Sequence, residues 1–187
     1  EVIGRSSVFL DAERVRYEET ALGNLVTDII RQYSHADMAL LNGGSLRAGI
    51  DAGPVTVEDV FKTMPFANEV VLVELSGAEI LQVLGRSVKG NRGDEDGGFL
   101  QVSGLRFAVR NHGVENVAVG PQQEALDIDK RYRVAINDFL AAGGDGYALF
   151  KEKPAEYTGL PLRELIVETI RTRGVVTAEI EGRIVRK

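Results

Sequence analysis

The residues with the most evident chemistry stand between Tyr132 and Tyr147, in YRVAINDFLAAGGDGY. Val134 to Ile136 form an apolar run suited to a buried strand, and the paired glycines, Asp145 and a third glycine that follow give the backbone wide freedom. Phe139 has no place in the strand's alternation. An aromatic face and a carboxylate acceptor are what a nucleoside requires, while a core phenylalanine above a tight turn accounts for the same residues.

Two further stretches carry polar or aromatic groups at useful spacing. Asn42 to Ile50, NGGSLRAGI, follows a short apolar segment, and a strand end running into glycines can aim several amide N–H donors at an anion. Arg47 adds a planar fork suited to phosphate or carboxylate oxygens. No Gly-Lys-Ser/Thr follows, so this is not a P-loop, and the three-glycine spacing of a dinucleotide fingerprint is missing. Phe66 and Asn68 stand in a short connector after Pro65, where an aromatic beside an amide could stack on and hydrogen-bond a base. Core packing is the commoner fate of such a phenylalanine.

Elements that would position these groups can be read from periodicity. Val2 to Leu10 and Arg14 to Tyr17 read as extended, the latter placing Arg14 and Arg16 on one side. Leu22, Leu25, Val26, Ile29, Ile30 and Tyr33 recur at helical steps, with Thr20 as cap, and Gly23 and Asn24 near the first turn suggest close packing against another element or against ligand-binding backbone. Asp37 to Leu41 is a strand, Thr56 caps a short helix through Thr63, and Glu69 to Leu75 is a strand apolar on both faces. Ser76 and Glu79 make a capping box for a helix carrying Ile80, Leu81, Leu84 and Val88. Lys89 to Gly97 reads as a mobile loop, and Asp94, Glu95 and Asp96 within it as a solvated charge cluster. GGFLQVSGLRFAV is strand-like with a bulge or bend at Gly104, and Asn111 to Gly113 is a hairpin turn. Pro161 to Arg173 forms a last helix stopped by Gly174, and Val175 to Val185 a terminal strand. The pattern is that of an α/β or α+β domain, a mixed β-sheet core flanked by helices.

At 187 residues the chain fits one domain, 1–187, with no Pro/Ser-rich linker. Its net charge of -6 disfavours nucleic acid polymers, and its apolar runs are too short for a membrane span. Cysteine is absent, which excludes disulfides and thiolate chemistry. Glu1 is not preceded by an initiating Met, so the chain reads as a piece of something longer.

Taken together and in order, TALGNLVTDII, NGGSLRAGI, VFKTMPFANEVV, GGFLQVSGL and NDFLAAGGDGY strongly resemble the C-terminal domain of the 5'-nucleotidase family, over nearly the whole chain. That family joins an N-terminal two-metal phosphoesterase domain to a C-terminal domain that holds the nucleoside. The resemblance implies a single substrate-binding domain, with the metallophosphoesterase domain and its divalent metals outside this chain. It also implies an extracytoplasmic setting, periplasmic, cell-wall or secreted. Phe66 and Phe139 would sandwich the base and Asp145 would accept ribose hydroxyls. Asn68 would face the base edge; Asn42, Arg47 and Arg16 would lie near ribose and phosphate; Gly98 would line the pocket with its backbone. Ala67 and Leu100 depart from the family pattern, where glycine and proline are frequent, and bear on base preference.

Catalysis is expected to come from elsewhere. Two-metal hydrolysis needs about six or seven His, Asp and Asn ligands around ions roughly 3.5 to 4 Å apart. The chain has two histidines, His35 at a helix end and His112 in a turn, neither in an Asp-x-His or Gly-Asn-His context. No Gly-x-Ser-x-Gly elbow occurs, and Ser45 and Ser103 have no sequence-level histidine partner. The expected role is to bind and position a nucleotide or nucleoside; a freestanding, non-catalytic nucleoside-binding or interaction module is the alternative.

Overall fold

In the computed structural model, which describes residues 1–90 and 96–187, local sequence chemistry sets the helix starts. The Thr20 side chain accepts from the Gly23 amide at the head of α1 (Ala21–Ser34), and His35 closes it in the left-handed region at φ 53. Thr56 and Asp59 form a capping box at α2 (Val57–Thr63), Ser76 and Glu79 another at α3 (Gly77–Ser87). Asn137 caps the single turn α4 (Asp138–Ala141), and α5 (Ala148–Lys151) and α6 (Leu162–Arg173) complete the set.

These boxes carry a consequence for acid stability. The Asp59 carboxyl is held below the ordinary carboxylate range by the Thr56 hydroxyl and amide, and that of Glu79 chiefly by its ion pair with Lys153. Both partners are lost on unfolding, so the unfolded chain takes up the protons first as pH falls. The stabilisation is complete above the unfolded carboxylate pKa of about 4 and disappears as pH falls through the lowered folded values. The melting temperature is expected to fall below about pH 4, and Glu79→Gln to flatten that fall; thermal melts across pH 2 to 6 check both.

The strands divide among three mixed sheets rather than one. A five-stranded sheet has the order β10 (Ala155–Pro161), β4 (Glu69–Ser76), β9 (Arg131–Asn137), β2 (Met38–Asn42), β5 (Leu100–Ser103). Only β2 and β9 run parallel in it. The second sheet sets β1 (Val2–Ser6) between β3 (Gly53–Thr56) and β11 (Val175–Val176). The third runs β12 (Ile184–Arg186), β6 (Leu105–Arg110), β7 (Gly113–Val119), β8 (Glu124–Ala125). Alternation explains the continuous apolar runs: Ala39, Leu41, Val70 and Leu72 enter a core with α1 and α6, while Leu40, Val71 and Val73 enter a second core with α3 and β6.

Three further sequence expectations are corrected. Residues 13–17 form turns, closed by Tyr17 and Glu18 amides on the Arg14 carbonyl, so Arg14 and Arg16 do not share a strand face. Leu81 is exposed and Val83 takes its place in the core, because the apolar stripe of α3 follows Ile80, Val83 and Leu84. Val175 to Val185 is not one strand: β11 pairs with β1 and β12 with β6, in separate sheets. Of the loop Lys89 to Gly97, residues 91–95 lie outside the described residues, including Asp94 and Glu95, so neither its mobility nor the charge cluster is described. The tightness anticipated at Gly23 is present: an added Cβ would lie 2.0 Å from the Gln101 side chain, which bonds Val15, Glu18 and Thr20.

Candidate functional site

The parallel strands β2 and β9 end side by side at Asn42 and Asn137; β2 opens directly into the glycine turn Gly43–Ser45, and β9 into α4, after which the chain enters the turn at 143–146. The carboxyl ends of parallel strands are where open α/β sheets place ligands. Antiparallel β4 starts at the same end, with Val70 opposite Asn137, so the connector bearing Phe66 and Asn68 arrives beside α4 and its Phe139. The Asp138 carboxylate accepts from the Glu69 amide at 3.2 Å and ties the two segments together.

The result is a cleft of about 480 Å³ that brings together seven residues expected from the sequence: Phe66, Asn68, Phe139 and Asp145 with Asn42, Arg47 and Arg16. Gly44, Ser45 and Gly97 complete the lining. Phe66 is 51% and Phe139 43% exposed, so the core-packing alternative holds for neither ring. Large aromatics left in water at a concave site are available for a planar ligand.

A buried amide network orders the polar floor. Asn137 is fully buried; its side chain accepts from the Leu140 amide at 2.8 Å and donates to Asn42 Oδ1 at 2.9 Å and Ser45 Oγ at 3.1 Å. The Ser45 hydroxyl donates to the same Asn42 oxygen at 2.6 Å. This fixes the Asn42 amide so that Nδ2 donates to Asp145 Oδ2 at 3.2 Å, holding the carboxylate at the cleft. Neither Asn137 nor Ser45 was among the sequence candidates, although Asn137, the last residue before DFLA, has the position of a helix N-cap.

Three roles differ from the sequence expectation. The amides of the NGGS turn are not free for an anion: Gly43 donates to Phe99, Gly44 to Gly97, Leu46 to Gly43 and Arg47 to the Thr63 carbonyl. Gly43 is needed for close approach, since a Cβ there would meet the Val15 carbonyl at 2.2 Å. In the GGDG turn the space over Gly144 is taken by the Phe139 ring, whose atoms would stand 2.5 Å from an added Cβ. Gly98 is buried behind the cleft, its carbonyl accepting from the Tyr147 hydroxyl at 2.5 Å, and Gly97 lines the wall instead. Burial of the Tyr147 ring pushes that hydroxyl's pKa well up, which keeps it a donor.

The electrostatics are divided. Arg47 is exposed, and its guanidinium has no hydrogen-bond partner among the described residues. Arg16 contributes to holding the Asp96 carboxyl below the usual range, behind the larger effect of Arg86. Asp145 supplies the negative charge at the cleft. Cationic and anionic groups thus face one apolar-walled space, an arrangement that suits a ligand with a flat body, hydroxyls and an anionic end.

An α/β domain with two exposed aromatics and an amide-held carboxylate in a cleft at its parallel strand ends has the geometry of a small-molecule site. The chain is a member of a particular family, that of the 5'-nucleotidase C-terminal domain, which matches residues 2–152. It is 36% identical over 200 residues to the trifunctional nucleotide phosphoesterase protein YfkN of Bacillus subtilis (strain 168), covering 98% of this chain and 14% of that protein. To the 5'-nucleotidase of Vibrio cholerae serotype O1 it is 36% identical over 154 residues, covering 81% of this chain and 27% of that protein. The crystal structure of the 5'-nucleotidase precursor from Thermus thermophilus superposes with a TM-score of 0.93 at 38% identity, over 100% of this chain and 39% of that one. The chain therefore spans well under half the length of these relatives.

Proposed function

We propose that this chain is the nucleotide-holding domain of a two-domain, metal-dependent 5'-nucleotidase or related phosphoester hydrolase. The observation that carries this reading is the meeting of seven residues, drawn from segments as distant as Arg16 and Asp145, in one cleft at the strand ends. Phe66 and Phe139 take the base between them, Asn68 faces its edge, Asp145 accepts from the ribose hydroxyls, and Arg47 and Arg16 meet the phosphate end. Excluding water from both faces of the base fixes the substrate's long axis, and with it the direction in which the phosphate leaves the cleft.

The divalent ions belong, on this reading, to an N-terminal metallophosphoesterase domain of the same polypeptide. Among the described residues no group of three or more His, Cys, Asp or Glu is placed to hold a metal. His35 caps a helix and His112 sits at φ 61 in the β6–β7 turn. The chain's own contribution is orientation, which is worth several kcal/mol when a nucleophile must attack in line. The setting is proposed to be extracytoplasmic, on the family resemblance; among the described residues no helix is long and apolar enough to cross a membrane.

Titration of the chain with adenosine and AMP tests the reading. Arg47→Ala is expected to weaken AMP by about tenfold, the worth of one solvent-screened, charge-assisted contact, and to leave adenosine unchanged. Equal losses for both ligands would remove Arg47 from the phosphate end. An upstream polypeptide without an Asp-x-His and Gly-Asn-His series would instead make the chain a freestanding, non-catalytic module.

A further inference from the structure

We infer that Arg86, which lies outside the cleft lining, is the positioning residue that fixes Asp145 for the ribose; this rests on the nucleoside reading of the cleft. Arg86 stands in the last turn of α3 and reaches the back of both loops that frame the site. Its Nε donates to the Asp145 carbonyl at 2.8 Å, and its two terminal nitrogens bind the Asp96 carboxylate at 2.9 and 3.2 Å. Asp96 Oδ1 also accepts from the Gly98 amide at 2.9 Å, and the guanidinium carbon lies 5.3 Å from the centre of the Tyr147 ring. Tyr147 closes the circuit through its hydroxyl on the Gly98 carbonyl.

The glycines of both loops leave room for this side chain. A Cβ at Gly98 would stand 2.4 Å from an Arg86 terminal nitrogen, and one at Gly146 3.2 Å from its Nε. Gly98 thus makes space for the brace rather than for the ligand. Asp145 itself has φ 55, in a turn with Gly143 at φ 87 and Gly146 at φ 81, a left-handed path that aspartate adopts more readily than most residues and that contacts from outside the turn can fix in one geometry. Two outside contacts do so: Arg86 on its carbonyl and Asn42 on its carboxylate. A lysine offers one point charge and cannot hold Asp96 and the Asp145 carbonyl in the same fork geometry.

The test compares this chain with its Arg86→Lys and Asp96→Asn variants by amide hydrogen exchange over residues 143–147, and by calorimetric affinity for adenosine and 2',3'-dideoxyadenosine. The wild type is expected to prefer adenosine by about tenfold, as charge-assisted hydrogen bonds to Asp145 require. Arg86→Lys should bring that ratio towards one and raise exchange in the turn about tenfold, with Asp96→Asn following in the same direction even if the lysine variant folds poorly. Faster exchange with an unchanged ratio would reduce Arg86 to a structural part and overturn the inference. Unchanged exchange would overturn the brace whatever the ligand does. A wild type that binds adenosine without regard to its hydroxyls would overturn the ribose role of Asp145, and one that binds neither nucleoside would overturn the nucleoside reading, while exchange still reports whether Arg86 holds the turn.

Discussion

Replacing Phe66 and Phe139 together by alanine is expected to lower adenosine affinity by two orders of magnitude or more, to about or below the limit of calorimetric detection, without unfolding the chain. Each stacked aromatic is worth about 1–3 kcal/mol to a bound base, and every 1.4 kcal/mol is about tenfold. Polar contacts at Asn68 or Asp145 compete with water and return less per contact, roughly 0.5–1.5 kcal/mol for a neutral hydrogen bond. The fold should survive because neither ring is a core residue: both are about half exposed, at 51% and 43%. The Phe139 ring does rest on Gly144, so a small loss of melting temperature belongs to that single substitution and not to Phe66→Ala. Adenosine calorimetry with a thermal melt of each variant separates the two effects, and an unchanged affinity in the double variant would refute the aromatic clamp.

The contrast between what local sequence announced and what it could not follows from the range of the interactions involved. Caps are decided within four residues, and Thr20, Thr56 and Ser76 each stand where their own segment requires. The aromatic and acidic members of the cleft were likewise visible, because Phe139 and Asp145 break the local pattern of strand and loop. The division of strands among three sheets depends on pairings between β1 and β11, or β6 and β12, separated by more than seventy residues in the chain. No periodicity encodes such a partner. The same limit applies to the NGGS turn: glycines that could free amides for an anion look identical, in sequence, to glycines that let Val15 approach, and the distinction lies in Phe99 and Gly97 on another segment. Arg86 is the extreme case. Within α3 it reads as a basic residue completing a helix end, and only the folded chain brings Asp96 and Asp145 to it.

Gly104→Ala is expected to be among the most destabilising single substitutions in the chain, by about 3–5 kcal/mol, and Gly120→Ala to cost only about 1–2 kcal/mol. Both glycines are left-handed, at φ 84 and φ 72, so both variants incur the penalty of placing an L-residue there. They differ in surroundings. A Cβ at Gly104 would lie 2.2 Å from the Asp37 carbonyl oxygen and 3.0 Å from the Met38 Cα, which are backbone atoms entering β2, whereas nothing lies within 4 Å of one at Gly120. The Gly120 amide moreover bonds the Gly104 carbonyl at 3.0 Å at the end of the β6–β7 pair, so the two glycines are neighbours that differ in what an added Cβ would meet. Gly104 is the joint at which the chain leaves β5 in the five-stranded sheet for β6 in the next, so relief of the clash must move β2 or separate the sheets. Chemical denaturation of both variants measures the difference. Equal losses would mean that the joint yields at no cost and that backbone conformation alone accounts for the glycine; a loss confined to Gly104→Ala beyond the shared left-handed penalty would measure how firmly β2, and the Asn42 at its far end, is held against the neighbouring sheet.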